Sequence, residues 1–328
     1  MDGTMTGVQA GGLRMNELAT EIADSLAESG DQLRVRAQTL PGGARMIDAG
    51  VEVEGGYDAG LALSEICMGG LGNVAYSPLQ IGGAAWPGVT VWTDHPAESC
   101  MASQYAGWAI SVDKFFAMGS GPLRAHARVE RELFEKLDYR EDATHGVLVL
   151  EGRVLPTDAV AAWVAQKARL EPSQLTFVVA PTASLAGGVQ ISARIIETGL
   201  HKMETLGFDV RRVLSAMGTA PIPPVAKNDL RAIGRTNDCI LYGGQARYTV
   251  RAGDDELSEL VSKVPASASR DYGTPFYDIF QRYEGDFYKI DPLLFSPAEV
   301  WLTSAETGRT FHAGRLDPGV LSDSCYPS

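Results

Sequence analysis

The run from Gly187 to His201 constrains the fold more than any other segment, because it reads as a helix with a single narrow polar stripe. Gln190, Arg194, Glu197 and His201 recur at i, i+4, i+7 and i+11, while Ile191, Ile195, Ile196, Leu200, Met203 and Leu206 fill the other side. One face packs, and the other presents an amide, a guanidinium, a carboxylate and an imidazole. The apolar run Leu175 to Ala180 lies just upstream and reads as a buried strand. The loop from Pro181 to Gly188, with Thr182 and Ser184, therefore delivers the helix near the strand's carboxyl end, where open α/β sheets place their ligands.

On spacing alone, Arg and Glu three residues apart are a common solvated pair contributing ~0.2–0.5 kcal/mol. Three features pull the other way. The polar stripe is one residue wide where a solvated face is broad, the preceding loop is rich in Gly and hydroxyls, and the charges fall in the first turns, where a helix leaves amides unpaired.

With 328 residues the chain exceeds the usual size of a single core, which favours two domains. A hydrophobic fraction of 45% and a charged fraction of 21% are those of a globular enzyme. The net charge of −13 excludes nucleic acid and anionic membrane as main partners, since either demands a basic surface. The nearest approaches to one, Arg124 to Arg131 and Arg211-Arg212, read as solvated helix faces. Cys67, Cys100, Cys239 and Cys325 are far apart without CxxC or CxH spacing, which suits free thiols in a reducing compartment. No HExxH motif or histidine cluster has metal-ligand spacing, so no bound metal is expected. No apolar run approaches the roughly 20 residues of a membrane span, and a cytoplasmic location is expected.

Along the chain, Met1 to Gly12 reads as a mobile leader and Asn16 to Ser29 as an amphipathic helix closed by Gly30. Strands are expected around 33–39, 44–48, 89–93 and 146–150, and helices over 59–67, 99–108, 123–137 and 157–167. Phe115 to Pro122 reads as a tight turn in which Ser120 and Gly121 offer backbone amides. The stretch Ile233 to Gly244 reads as an apolar strand with Arg235, Thr236, Asn237 and Asp238 at its mouth. A domain division is placed near Ala143, giving 1–143 and 144–328, each a mixed α/β unit with the stripe helix in the second.

Neither a P-loop nor a GxGxxG after a strand is present, so nucleotide binding loses its main support. Thr93-Asp94-His95 imitates an acid/base pair, but adjacent residues on an extended chain point to opposite faces. Arg194 and Glu197 can act in one scheme: a positioned carboxylate takes a proton from water while the guanidinium holds both in line. Such a base suits an already activated carbon. A neutral amide would need a metal or a strong oxyanion hole as well, whereas a cationic amidinium carbon would not.

Several blocks in order carry a resemblance: Gly60-Leu-Ala-Leu-Ser64-Glu65-Ile-Cys-Met-Gly-Gly-Leu71, Thr93-Asp94-His95-Pro96, Phe116-Ala-Met-Gly-Ser120-Gly121-Pro122, Ala180-Pro181-Thr182-Ala-Ser184, Val189-Gln190-Ile-Ser-Ala-Arg194, Gly234-Arg235-Thr236-Asn237-Asp238-Cys-Ile-Leu-Tyr242-Gly-Gly244 and Asp286-Phe-Tyr288-Lys289-Ile-Asp-Pro292. From about Asn16 to Gly314 they resemble the methenyltetrahydromethanopterin cyclohydrolase family. The resemblance implies an α+β fold of two mixed domains with a pterin pocket between them, a homotrimer, and no permanently bound cofactor. It implies metal-free, reversible hydrolysis of the cationic methenyl bridge of tetrahydromethanopterin, or of its dephospho form, to the 5-formyl derivative. The Arg-rich composition fits a bacterial member serving formaldehyde oxidation in methylotrophy.

By the same resemblance Arg194 and Glu197 are catalytic, and Ser64, Glu65, Asp94, His95, Ser120, Gly121, Pro181, Thr182, Ser184, Gln190, Arg235, Thr236, Asn237, Asp238, Tyr242, Tyr288 and Lys289 are candidate substrate-binding residues. Archaeal members carry Lys in an Ala-Gln-Lys-Ala-Gly-Trp block, where this chain has Ser103-Gln104-Tyr105-Ala106-Gly107-Trp108, so Tyr105 joins the candidates as that Lys's replacement. His201, nearly three turns along the stripe, is expected to be structural. A folate-directed cyclic amidine hydrolase and a non-catalytic pterin-binding partner are the alternatives.

Overall fold

The computed structural model describes residues 12–286 and 289–326, so nearly all of the expected leader, together with Tyr288, lies outside the described residues. Its strands are β1 (Arg36–Thr39), β2 (Arg45–Asp48), β3 (Gly72–Ile81), β4 (Ala84–Thr93), β5 (Trp108–Val112), β6 (Phe115–Ser120), β7 (Gly146–Glu151), β8 (Leu175–Ala180), β9 (Val213–Pro221), β10 (Gln245–Val250), β11 (Glu299–Ser304) and β12 (Thr310–Gly314). They form two mixed sheets, ordered β1-β2-β8-β7-β6-β5 and β12-β11-β10-β9-β4-β3.

The division expected at Ala143 is corrected by this topology. Before it, β3 and β4 belong to the second sheet while β1, β2, β5 and β6 belong to the first; beyond it, β7 and β8 complete the first sheet and β9 to β12 the second. Each sheet is discontinuous in sequence. The physical reason is strand pairing: β2 and β7 both run parallel to β8, and β4 pairs antiparallel with β9, so a cut at 143 severs hydrogen-bonded ladders in both sheets.

The two sheets differ in burial, as their sequences dictate. β7 and β8 are apolar almost throughout and are covered on both faces. Val147, Val149 and Val178 pack toward helices Met15–Glu28 and Tyr57–Cys67, whereas Leu148, Leu150, Phe177 and Val179 pack toward helix Asp158–Ala168. In the second sheet burial alternates. Ala246, Tyr248, Val300 and Leu302 join a core with Ile195, Ile196, Leu200 and Met203, while Trp92 and Met217 face outward and Arg247 lies 3.8 Å over the Trp301 ring. Helices 57–67, 185–192 and 195–205 fill the space between the sheets, touching strands of one or both.

Several local expectations change. The stretch 115–120 is strand β6 rather than a turn, because Phe115, Ala117 and Gly119 alternate into the core. The helix expected over 123–137 is two short ones, Leu123–Ala127 and Arg131–Leu137, parted by Arg128 at φ 51°. The segment 99–108 holds a π-helix, Ala97–Gln104, and Trp108 already begins β5.

Residues 233–244 form no strand but the end of helix Asp229–Gly243, started by the Asn228 side chain accepting from the Arg231 amide at 3.0 Å. A short apolar run cannot by itself tell a buried helix from a strand. Here Cys239, Leu241 and Tyr242 meet the C-terminal helix Pro318–Cys325 and the segment around Phe276. Asp238 is wholly buried there, accepting from the Phe276 amide at 2.8 Å and from the Ser324 hydroxyl.

Two outcomes follow from this packing. Gly60 lies where helix 57–67 crosses helix 185–192, and a Cβ there would stand 2.6 Å from Val189 Cβ and 3.1 Å from Ala186 Cα. Gly60→Ala is expected to lower stability by about 1–3 kcal/mol in denaturant titration, the usual cost of overpacking. Burial pushes the Asp238 carboxyl up to about 7, so the folded state holds a proton that the unfolded chain releases near its ordinary value of 3.8. The Asp238 contribution to stability is then lost as pH rises toward 7. Asp238→Asn, whose carbonyl still accepts from the Phe276 amide and whose NH2 donates to the Ser324 oxygen instead, is expected to flatten the melting temperature over that window.

Candidate active site

The stripe segment is not one helix but two, Leu185–Ser192 and Ile195–Thr205, joined at Ala193 and Arg194. Arg194 leaves helical geometry, with ψ at 7°, while Ala193 stays right-handed at ψ −6°. The break frees the Ala193 carbonyl, which accepts from Gln104 Nε2 at 3.1 Å. Ser184 opens the first helix, its hydroxyl accepting from the Gly187 amide at 3.0 Å. Arg194 becomes the residue that starts the second helix, and Glu197 sits in that helix's first turn, where free amides favour an anion. A continuous helix would have swept the two side chains past each other on one surface; the break turns Arg194 inward.

Arg194 is 8% exposed, and each of its three guanidinium nitrogens has a partner. Nε donates to Gln190 Oε1 at 2.9 Å, Nη1 to the Gln104 carbonyl, and Nη2 to Ser120 Oγ at 3.2 Å. Cys67 closes the ring, with Sγ 3.4 Å from Ser120 Oγ and 3.8 Å from Gln190 Oε1, and Ser103 Oγ donates to the Cys67 carbonyl at 2.6 Å. Burial pushes the Cys67 thiol up, only partly offset by Arg194 and Ser120, so it is a neutral spacer. Ser120 comes from the first sheet and Gln104 from the π-helix that connects the sheets, so the cluster lies between them.

Glu197 is 5% exposed. Among the described residues its carboxylate makes no hydrogen bond or close ion pair. Burial raises its proton affinity, and Arg194, then His201, then Arg124 draw it back down. Tyr105 stacks on His201 with centroids 5.0 Å apart and planes at 16°, placing a neutral ring beside the carboxylate. An open cleft of about 500 Å³, lined by Tyr105, Glu130, Lys136, His201 and Glu204 among others, borders the site on this side.

Of the sequence-predicted residues, Gln190, Arg194, Glu197, Ser120 and Tyr105 come together here. Gly121 joins them through its amide, which donates to the Ser103 carbonyl at 2.8 Å, and its φ of 103° suits only glycine. Ser64 and Ser184 are used structurally, Ser64 Oγ bonding the Gly60 carbonyl at 2.7 Å and Ser184 Oγ the Pro181 carbonyl at 2.7 Å. Thr182 bonds the Glu151 carboxylate at the carboxyl ends of β7 and β8. Glu65 accepts from the Val74 amide at 3.3 Å, burial pushing its carboxyl up. Asp94 and His95 are exposed, Asp94 accepting from Ser215 at 2.7 Å.

The set from 235 to 242 does not gather at a strand mouth. Arg235 bonds the Pro224 carbonyl at 3.2 Å, while Thr236 and Asn237 bond carbonyls of their own helix at 2.9 and 2.8 Å. Tyr242 bonds the Thr274 carbonyl at 2.7 Å, and Lys289 pairs with Asp286 at 3.8 Å. Among the described residues no group of three or more His, Cys, Asp or Glu is disposed to hold a metal ion, and no helix is long and apolar enough to cross a membrane.

Gln104, Cys67 and Arg124 were missed. Arg124, taken as part of a solvated helix face, is fully buried. Its only sequence signal is the apolar pair Leu123 and Ala125 on either side of it.

The sequence finds its counterpart in known proteins. The family profile described as Cyclohydrolase (MCH) matches residues 14–325. A methenyltetrahydromethanopterin cyclohydrolase of Methanococcoides burtonii is 42% identical over 95% of this chain and 98% of its own length. Proteins of that name from Methylobacillus flagellatus and Methylobacterium organophilum are 45% and 44% identical, each over 94% of this chain, covering 94% and 97% of their own lengths. A profile match and relatives spanning nearly the whole chain establish that it belongs to the methenyltetrahydromethanopterin cyclohydrolase family.

Proposed function

We propose that this chain hydrolyses the methenyl bridge of methenyltetrahydromethanopterin to the 5-formyl derivative, with Glu197 as general base for water and Arg194 as the group that orients that water. The observation that carries the assignment is the buried Glu197 carboxylate, unpaired among the described residues, beside a guanidinium fixed on three sides. Burial raises its proton affinity toward the working pH, which is what a base for water requires.

The chemistry is economical. The bridge carbon lies between two nitrogens and already carries the positive charge, so water can add without a Lewis acid once its proton is accepted. Glu197 takes that proton as the C–O bond forms. The tetrahedral adduct then collapses: one C–N bond breaks, Glu197 returns the proton to the departing nitrogen, and loss of the hydroxyl proton to solvent leaves a neutral formyl group. Arg194 cannot swing, because Gln190, Gln104 and Ser120 hold its three nitrogens. It therefore supplies a pre-set dipole to the developing oxygen rather than a mobile anchor.

With this activity we associate a homotrimer, a cytoplasmic setting and a place in bacterial formaldehyde oxidation, since methylotroph-named bacteria supply relatives of this length and identity. Either the methanopterin or its dephospho form suits the reading.

Glu197→Gln is expected to fold like the parent and to lose roughly a hundredfold or more in turnover, followed by loss of methenyl absorbance. Near-parental turnover rejects the base. Arg194→Met is expected to depress kcat more than it raises KM; a change confined to KM would make Arg194 a substrate anchor only. Offering the methenyl forms of methanopterin and of folate side by side tests the substrate: folate preference overturns the pterin assignment, and turnover of neither overturns the enzyme.

A further inference from the structure

Arg124 is a fully buried cation outside the pair assigned to the chemistry, on the five-residue helix Leu123–Ala127. Its Nε donates to Glu130 Oε1 at 2.8 Å. Its Nη1 stands 3.3, 3.4 and 3.1 Å from the carbonyls of Met101, Ala102 and Ser103. Those belong to the last turn of the π-helix, which has no further turn to pair them. The next carbonyl in that row is Gln104, the one that receives Arg194 Nη1. Two arginines thus share the end of one π-helix, Arg124 on three carbonyls and Arg194 on the fourth. The Arg124 guanidinium also lies 5.2 Å from the centroid of the Tyr105 ring, which stacks on His201.

We propose that Arg124 is a positioning residue for the hydrolysis: its fork fixes the π-helix end whose Gln104 carbonyl orients Arg194, and it adds a buried cation to the surroundings of Glu197. A neutral side chain could answer one carbonyl, but not three together with Glu130. A lysine could supply the charge, but not the planar fork. The groups that face Glu197 are Arg194 at the helix junction, His201 on its own helix, Cys100 and Tyr105 from the π-helix and the residue after it, Arg124 from its short helix, and Tyr248 from β10. Only Arg194, His201 and Arg124 among these are cationic or can become so, and each draws the Glu197 carboxyl down against its burial.

This inference rests on Glu197 being the base, and the experiment separates the two. The pH profile of kcat/KM is measured for the parent, Glu197→Gln, Arg124→Lys and Arg124→Gln, with melting temperature and active-site concentration fixing the folded fraction. Arg124→Lys keeps the charge and loses the fork: kcat per folded enzyme is expected to fall about ten- to hundredfold, with KM little changed and the acid limb in place. Arg124→Gln loses the charge: the acid limb is expected to move to higher pH, because Glu197 is then protonated more readily.

An acid limb surviving in Glu197→Gln is not that residue's, and the base assignment itself fails. With that limb abolished, parental kcat in Arg124→Lys or an unmoved limb in folded Arg124→Gln overturns the positioning role alone. Should Arg124→Gln not fold, the kcat and KM of Arg124→Lys decide the matter.

Discussion

The break at Ala193 and Arg194 is the constraint on which the site depends. A helix with one residue in each turn facing a neighbour could have run straight from 185 to 205. Instead its ladder opens for one step, and the parts released find partners on other elements: the Ala193 carbonyl on Gln104, the Arg194 guanidinium on Gln190, Gln104 and Ser120. Gln190 lies on the preceding helix, whereas Ser120 comes from the first sheet and Gln104 from the π-helix that leads out of the second. The same few hydrogen bonds therefore hold the sheets in register with each other and set the geometry of the reacting groups. Buried polar networks of this kind tolerate little partial satisfaction, since each lost partner leaves a desolvated group behind.

The interleaved sheets explain why the site lies where it does. Because the chain passes from first sheet to second, back, and to the second again, its crossing segments run between the layers: helix Tyr57–Cys67 after β2, the π-helix after β4 and the paired helices after β8. Segments that cross are pinned at both ends by strands of different sheets. Gly199 shows how close the contact is, for a Cβ there would stand 2.0 Å from the Tyr248 hydroxyl, which in turn donates to the Ile196 carbonyl at 2.9 Å. Glu197, flanked by these two contacts, is held against the second sheet while Arg194 is held by the first.

Much of this was legible in the sequence. The all-apolar runs of β7 and β8, the amphipathic first helix and the narrow polar stripe each carry a period that survives packing. The pair Arg194 and Glu197 was visible as spacing plus resemblance. The break was not, because Ser192, Ala193 and Arg194 are ordinary helix formers or nearly so, and the group that answers the freed Ala193 carbonyl is a glutamine distant in sequence. The 233–244 segment misled for a related reason. Cys239 to Tyr242 are apolar on every side because a C-terminal helix covers the face that would otherwise be wet, and no local pattern announces that cover. Arg124 was hidden likewise: its burial is decided by π-helix carbonyls some twenty residues upstream, and a residue's charge says nothing about what will answer it.

Tyr105 shows how the protonation of Glu197 is balanced. The residue touches two groups that favour a charged Glu197, with the Arg124 guanidinium 5.2 Å from its ring centroid and His201 stacked on the ring. Its own hydroxyl proton is held more tightly by burial and by Glu197, so it contributes bulk and exclusion of water but no charge. A lysine at this position would bring a further cation to the carboxylate and weaken it as a base. With a neutral ring there, desolvation remains the leading influence on Glu197, and the cations only moderate it. The ring also covers the side on which the cleft approaches, so the carboxylate keeps its low-dielectric surroundings beside an open entrance.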